Sequence, residues 1–478
     1  MGLAKVQIQI LPNQQFPEHI NIMMSDQLAK KLNIHTDMLW VSFGSSVTTG
    51  VIGRLRRANH KVIFISSYLA NKLLLPAQPH TVVHFDSRSL RLRLAPLFGI
   101  LISKIPQTDN DDQLFGPITR FLDECDAAAM NQGIRVAVVL ADMIDPDRRG
   151  IKGWIKANNR WLAAALPLPD VIYNRITSRK IEEKESVQAK LARLKHQFHI
   201  PIFNERFLNK LEVYQILSKD ERMHQYLPET YTYHTDKCRE FLSRHPVVYL
   251  KPTNGSLGQG IIRVERSGGG QWLYQSATPN GTLSKTVPSK KELLHLLDKK
   301  IRKQPYIMQQ GLNLVKLGRR QVDFRVLAQK NIQGKWRITS SVGRIANDQH
   351  IVSNLARGGT IRKTGELLNE LPLATKPSIN DIQHAALSII HSFEEWVGGH
   401  YAELGIDLGI DTKGKIWLIE INSKPSKTDD TVINPTSQTR PSVARLIDYV
   451  QYLVLYRRHA HAPPSHAPHW TSRRRKHQ

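Results

Sequence analysis

The tightest constraint on this chain lies near its C-terminal end. Two apolar runs, LGIDLGID (404–411) and KIWLIEIN (415–422), flank a short turn of Thr412, Lys413 and Gly414. Both are too short and too β-branched for helices, so the pattern predicts a hairpin. Side chains alternate along a strand. Glu420 and Asn422 therefore share one face, while Ile419 and Ile421 share the other. Asp407, on the preceding strand, is brought alongside. Three oxygen-bearing side chains on one face are costly unless a cation compensates them. Two adjacent hard ligands of this kind suit Mg²⁺, which combines carboxylates with substrate phosphate and water. An exposed polar face of an edge hairpin would leave the same pattern, so the run alone does not decide between the two.

A second feature points to phosphate. HPVVYLKPTNGSLGQGIIRVER (245–266) reads as strand, glycine loop, strand. In the loop, Asn254, Gly255, Ser256, Gly258 and Gly260 let the backbone approach a ligand and turn N–H groups toward anionic oxygens. The loop lacks the Gly-Lys-Ser/Thr ending of a P-loop and leads into a strand instead of a helix, so it is no dinucleotide fingerprint. A plain hairpin turn would give the same glycines. Lys251, at the end of the first strand, adds a point charge beside the loop. Further cations come from Asp323-Phe324-Arg325, the strand around Arg344, and the polar glycine loop SNLARGG carrying Arg357. Arginines so placed can neutralise charge that builds up during phosphoryl transfer.

The rest of the chain divides by texture. Residues 1–95 hold short β-branched or alternating runs (VQIQIL, MLWVSFG, VTTGVIG, KVIFIS, TVVHFD, LRLRLAP) and one helical stretch, SDQLAKKLNI, with Ser25 as its N-cap. That pattern predicts a β-rich, barrel-like N-terminal domain. Residues 96–200 alternate helix (GPITRFLDECDAAAMNQG) and buried strand (RVAVVLADM, PDVIYNRI), which predicts an α/β domain with a largely parallel sheet. Residues 201–456 form a third unit. It includes a long amphipathic helix, PSINDIQHAALSIIHSFEEWVG, capped by Ser378 with Asp381 three positions on. A last helix, SVARLIDYVQYLVLYRR, closes it. Residues 457–478, rich in His, Pro and Arg, have too little apolar content to fold and are expected to be disordered.

Composition narrows the function classes. The 67 basic residues exceed the 41 acidic ones, for a net charge of +26. Removing the six cations from Arg457 onward leaves about +20, so the excess is distributed. Such a charge predicts an anionic partner: a phosphate ligand, acidic proteins or a charged surface. Nucleic acid is a poor fit, since no recognition motif is present and aromatics are 7% of residues. No run of about 18 apolar residues suggests a membrane span, and no signal peptide is expected. Cys125 and Cys238 show no metal spacing, which fits two free thiols in a reducing, intracellular setting.

In their order along the chain, these pieces resemble the ATP-grasp superfamily over roughly residues 200–455. The order is Lys210, then Lys251 with its glycine loop, then the Gln309-Gln310-Gly311-Leu312 hinge, DFR, SNLARGG and D…EIN. SNLARGG and EIN are similar to the RimK-type and glutathione-synthetase-type carboxylate–amine ligases. Over its whole length the chain resembles the YheC/YheD family of endospore-coat-associated proteins, which places a β-rich region and an α/β region before the ATP-grasp module. LKPTNGSLGQGI and LGIDLGIDTKGKIWLIEINSKP both fit that family.

The resemblance implies an α/β fold with ATP and Mg²⁺ as ligands. Lys210, Lys251 and the 254–260 loop would contact the phosphates. Gln309, Gln310 and Leu312 would meet the adenine edge. Asp407, Glu420 and Asn422 would bind Mg²⁺, and Arg325, Arg344 and Arg357 would face the phosphate or acceptor. Many ATP-grasp enzymes carry Glu in the hinge where this chain has Gln309 and Gln310. The implied activity is ATP-dependent ligation of a carboxylate to an amine through an acyl phosphate. The alternative is an ATP-binding or scaffold protein without turnover in spore coat assembly. The implied setting is the mother-cell cytoplasm or the spore coat, with coat proteins or another anionic surface as partners.

Overall fold

The computed structural model describes residues 2–56, 59–76, 81–107, 111–255, 258–278, 281–301, 304–346, 359–427 and 439–456. The first ninety residues form a closed barrel. Its strands are β1 (Gly2–Leu11), β2 (Ile22–Ser25), β3 (Met38–Phe43), β4 (Ser46–Leu55), β5 (Val62–Ser66), β6 (Thr81–Asp86) and β7 (Arg91–Arg93). They follow the order β1-β5-β2-β4-β3-β7-β6, and β6 returns to pair antiparallel with β1. Ser25 caps α1 (Asp26–Leu32) by accepting from Leu28 N. The sequence pattern offered one helix here, but the structure has two. Ser66 caps α2 (Ser67–Leu73) in the same way, accepting from Leu69 N. The two segments share a Ser-x-x-Leu-Ala-x-Lys-Leu pattern, and each ends on a left-handed residue, Asn33 or Leu74. The barrel is thus partly built from a repeated strand–helix unit.

The second sheet comprises β8 (Leu97–Ile102), β9 (Arg135–Asp145), β10 (Gly150–Ala157), β11 (Arg160–Pro167), β12 (Val171–Asn174) and β13 (Ile202–Phe203), with α3 (Thr119–Asn131), α4 (Arg179–Glu182) and α5 (Glu185–His196). Its order is β11-β10-β9-β8-β12-β13. The pairs from β9 through β13 are parallel, as expected, but β9, β10 and β11 run antiparallel. The unforeseen hairpin turns at Asn158 and Asn159, both at positive φ, which matches the twist of the flanking strands. One apolar core runs from the barrel into this sheet, joining Val6, Phe43 and Phe85 to Leu101, Val139 and Ile172. Gly133 sits where the two meet. A Cβ there would lie 2.1 Å from that of Val82, so only glycine allows the approach.

Two further sheets face each other. The third is antiparallel throughout. It follows α6 (Lys210–Leu217) and contains β14 (Thr230–Thr232), β15 (Val247–Pro252), β16 (Ile262–Arg266), β17 (Trp272–Thr278), β18 (Gly281–Val287) and β19 (Tyr306–Gln310), in the order β14-β19-β15-β16-β17-β18. One face packs on α7 (Thr235–Arg244) and α8 (Lys290–Ile301) through Phe241, Leu293, Leu297 and Met308. The fourth runs β23 (Thr360–Lys363), β22 (Trp336–Ile345), β21 (Arg320–Lys330), β24 (Glu403–Ile410), β25 (Ile416–Asn422), with β20 (Lys316–Leu317) beside β21. α9 (Thr364–Glu370) and α10 (Ile379–Trp396) cover its apolar face, where Phe324, Ile389 and Ile406 meet. The capping box at Ser378 and Asp381 is formed. α11 (Pro441–Gln451) fills the space beside the second sheet, with Val443 and Ile447 packed among Phe98, Val136 and Tyr173. No described helix is long and apolar enough to cross a membrane.

Candidate functional site

The site begins with the turn of the β24–β25 hairpin. Asp411 accepts hydrogen bonds from the N–H groups of Lys413 and Lys415 and from Trp417 Nε1. Gly414 takes φ 85° there. This turn sets Asp407 directly opposite Glu420 and Gly405 opposite Asn422. The register slips by one residue between Asp407 and Leu408, which inserts Ile419 as a bulge. Simple alternation placed Ile419 with Ile421. With the bulge, Leu418 and Ile421 join the core while also reaching the cleft, and Ile419 lines the cleft outside that core.

The polar face of the fourth sheet carries a row of charge across four strands. Arg325 lies opposite Asp407, and Asp323 lies opposite Arg344. Arg325 Nε donates to Asp407 Oδ1 and Nη2 to Oδ2 at 3.1 Å. Arg344 bridges the two carboxylates, donating to Asp323 through Nε and reaching Asp407 Oδ2 at 3.0 Å through Nη2. Asn422 Nδ2 lies 3.4 Å from Asp407 Oδ2. Burial works to raise the Asp407 carboxyl, but Arg325 and Arg344 outweigh it and hold it below the ordinary carboxylate range. Asp323, with a smaller share of positive charge, is pushed up to about 6 by burial, with Arg344 opposing and Asp407 adding.

From Glu420 the row crosses to the third sheet. Lys210, the first residue of α6, donates to Glu420 Oε1 at 2.8 Å and to Gly255 O at 2.8 Å. Its own N–H bonds Thr253 O, and Asn209 caps the helix and meets Asn254 Oδ1. The helix start, the glycine loop and β25 are thereby tied at one point. Lys251 comes from β15 and donates to Gln309 Oε1 at 2.6 Å. Burial and the like charge of Lys210 push the Lys251 ammonium down to about 8, against the pull of Glu420.

Lys210, Lys251, Gln309 and Glu420 border a cleft between the third and fourth sheets, with about 510 Å³ of empty space including its mouth, whereas Arg325, Arg344, Asp407 and Asn422 do not line it. Its apolar wall is formed by Leu208, Val213, Ile307, Leu418 and Ile419, and its polar end by Lys210, Lys251, Thr230, Gln309 and Glu420. Such a lining, greasy with a few convergent polar groups, is that of a small-molecule site.

Not every expected residue meets there. Gln309 faces the cleft, but Gln310 points to the other side of β19, where its Oε1 accepts from Glu229 N. Leu312 follows the strand end and does not line the cleft. Gly258 and Gly260 hold positive φ, at 67° and 72°. Ser256 and Arg357 lie outside the described residues, as does the 457–478 tail.

Sequence reasoning missed Tyr214 and Thr230 in the cleft wall. It also missed two buried ion pairs beside it, Glu182 with Lys424 and Glu403 with Lys427. Glu403 had a readable signal: it lies four residues before Asp407 on one strand, hence on the same face.

Among the described residues no group of three or more His, Cys, Asp or Glu side chains gathers as a metal cage. Asp407 and Glu420 are hard oxygen donors of the kind Mg²⁺ takes, but here Asp407 is held by Arg325 and Arg344 and Glu420 by Lys210, with the Asn422 amide nitrogen 3.4 Å from Asp407.

Comparison with known proteins gives a match to the YheC/D like ATP-grasp family over residues 199–453. The chain is 28% identical to the endospore coat-associated protein YheD of Bacillus subtilis strain 168, across 87% of this chain and 91% of that one. It is 23% identical to YheC of the same organism, across 63% and 84%. Among solved structures it is similar to D-alanyl-alanine synthetase A from Vibrio cholerae, at 11% identity and TM-score 0.42, over 75% of this chain and 99% of that one.

Proposed function

Because this chain belongs to the YheC/D like ATP-grasp family, we propose that its cleft takes Mg–ATP and that the protein is an ATP-dependent carboxylate–amine ligase. The observation that carries this reading is the convergence of Lys210, which donates to Glu420, and Lys251, which donates to Gln309, in the lining of one cleft. Two ammonium groups beside one carboxylate leave a positive excess in an otherwise apolar slot. A triphosphate whose base lies against Ile307 and Leu418 would satisfy both ends.

In this reading Lys210, Lys251 and the N–H groups of the 254–260 loop bind phosphate oxygens. Gln309 meets the adenine edge, while Gln310 and Leu312 stay outside the cleft. Asp407, Glu420 and Asn422 hold Mg²⁺, which supplies charge neutralisation at the phosphates. Arg325 and Arg344, already beside Asp407, face the transferred phosphoryl group, together with Arg357. A carboxylate oxygen of the acceptor attacks the γ-phosphorus, the bond to the bridging oxygen breaks, and ADP leaves. An amine then adds to the acyl carbon, and phosphate departs as the amide forms. The protein's share is positioning and charge stabilisation.

Two relatives are named endospore coat-associated proteins. We extend that association to this chain, as a mother-cell protein acting in coat assembly with an acidic or anionic partner. The same names favour a second reading, in which nucleotide is bound without turnover.

Calorimetric titration of Mg–ATP into wild type and Glu420→Ala, with ADP assayed in the same samples, tests both. Binding lost in the variant supports the site, and ADP released only with an acceptor supports the ligase. Tight binding with no ADP under any acceptor supports the second reading. No binding by folded wild type sinks both.

A further inference from the structure

At the joint between the second and fourth sheets lies a cluster of buried charges outside the cleft. Arg175 follows the last residue of β12, and its N–H bonds Leu101 O on β8. It therefore stands at the C-terminal ends of two parallel strands, where α/β sheets commonly hold their ligands. Glu182, Glu403, Lys424 and Lys427 close the joint, each almost fully buried.

Both carboxylates are already saturated. Glu182 accepts from Asn174, Lys424 and the N–H of Phe207. Glu403, 0% exposed, accepts from Tyr173 OH at 2.6 Å, from Gln329 Nε2 at 2.7 Å and from Lys427 on both oxygens. Arg175 is left over. It is 4% exposed, and its Nε and Nη1 have no hydrogen-bond partner among the described residues. Its charge acts on Tyr173, Glu403 and Lys424, so it sits within the cluster without being paired by it.

Three buried cations thus face two buried acids. A guanidinium taken out of water without an anion is strongly unfavourable, and its planar fork matches a carboxylate. The cluster also leads to the cleft: Arg179 acts on Lys424, and Glu420 acts on Arg179.

We infer that Arg175 is the anchor of a second binding site, one that takes a carboxylate of the acceptor substrate at the joint between the sheets. This deepens the ligase reading and rests on it for the word acceptor. The site itself stands on the buried Nε and Nη1 of Arg175, which have no partner among the described residues.

The test uses the full chain and the neutral variant Arg175→Met. Without ligand, the variant is expected to melt at or above the wild-type temperature, because an uncompensated buried charge has been removed. Glutamate, succinate and acetate are then added singly at fixed ionic strength. At least one should raise the melting temperature of wild type and none that of the variant, while the Mg–ATP affinity of both stays within about twofold. With Mg–ATP and hydroxylamine as the amine surrogate, hydroxamate formation from the same acid should show a KM raised about ten- to a hundredfold in the variant.

A variant that melts well below wild type marks Arg175 as a structural residue and overturns the proposal. So does the absence of any shift in wild type, or an equal shift by inorganic phosphate that the variant also loses. A carboxylate shift confined to wild type, with no ADP or hydroxamate from any acid, supports the binding site while defeating the ligase reading.

Discussion

The barrel and the cleft solve burial in opposite ways. In the barrel, the two helix starts are satisfied close to home. Ser25 and Ser66 each cap a helix three residues on, and the chain then leaves through a left-handed turn whose N–H groups close back on the same helix. At the cleft and at the joint outside it, the buried groups depend on distant segments. Glu403 is held by Tyr173, Gln329 and Lys427, while Glu420 meets Lys210 across more than two hundred residues. Local satisfaction makes a sturdy, indifferent scaffold. Long-range satisfaction makes a region whose charges can change partner when a ligand arrives.

That contrast can be broken from the cleft side first. Glu403→Ala strands the buried Lys427 and is expected to cost about 3–5 kcal/mol in urea unfolding, the largest single effect in the molecule. A loss under 1 kcal/mol would mean the joint tolerates unpaired charge, and would weaken the argument for Arg175 as well. Next, Glu420→Ala should lower Mg–ATP affinity about ten- to a hundredfold by calorimetry. Its melting temperature should barely move, since the removed carboxylate is about a third exposed.

On the barrel side, Ser25→Ala and Ser66→Ala should each cost about 1 kcal/mol, and by the same amount within experimental error. Unequal losses would show that the repeated unit is a likeness of sequence without a likeness of role. The smallest effect is a pH slope. With its folded pKa near 8, below the ordinary 10.5, Lys251 binds protons less well in the folded chain than in the unfolded one. Stability therefore rises between about pH 8 and 10.5 from this group, since the unfolded chain holds more protons there. Nucleotide affinity should fall over the same interval as the ammonium is lost. Lys251→Met should flatten both slopes, seen as the difference from wild type.

Much of the fold could be read from local pattern. Ser25 before SDQLAKKL, the capping box at Ser378 and Asp381, and the turn before KIWLIEIN each mark an element boundary within a few residues. The second barrel helix escaped because SYLANKL continues the apolar run of KVIFIS, so strand and helix merge. Its likeness to the first helix was the signal that would have separated them. The Asn158-Asn159 pair likewise announced the β10–β11 hairpin.

What local pattern does not carry is register. Nothing in DFR or VGRI says that Arg325 lies opposite Asp407, or that Arg344 bridges two acids. Nor does a period of two contain its own exception at Ile419. The residue types at the candidate site were legible. Their pairing across strands was not, because it is decided by tertiary contacts.

One strand sets a length standard for the molecule. Glu403 and Asp407 stand on β24 four residues apart, about 13 Å, with their side chains on the same face. The first belongs to the joint, the second to the ion-paired row on the fourth sheet. Because side chains alternate, the spacing between the two can change only in steps of two residues, about 7 Å. A single insertion or deletion between them would turn one carboxylate into the apolar layer under α10. β24 therefore acts as a gauge block, and any compound that engages both ends at once must be cut to its length.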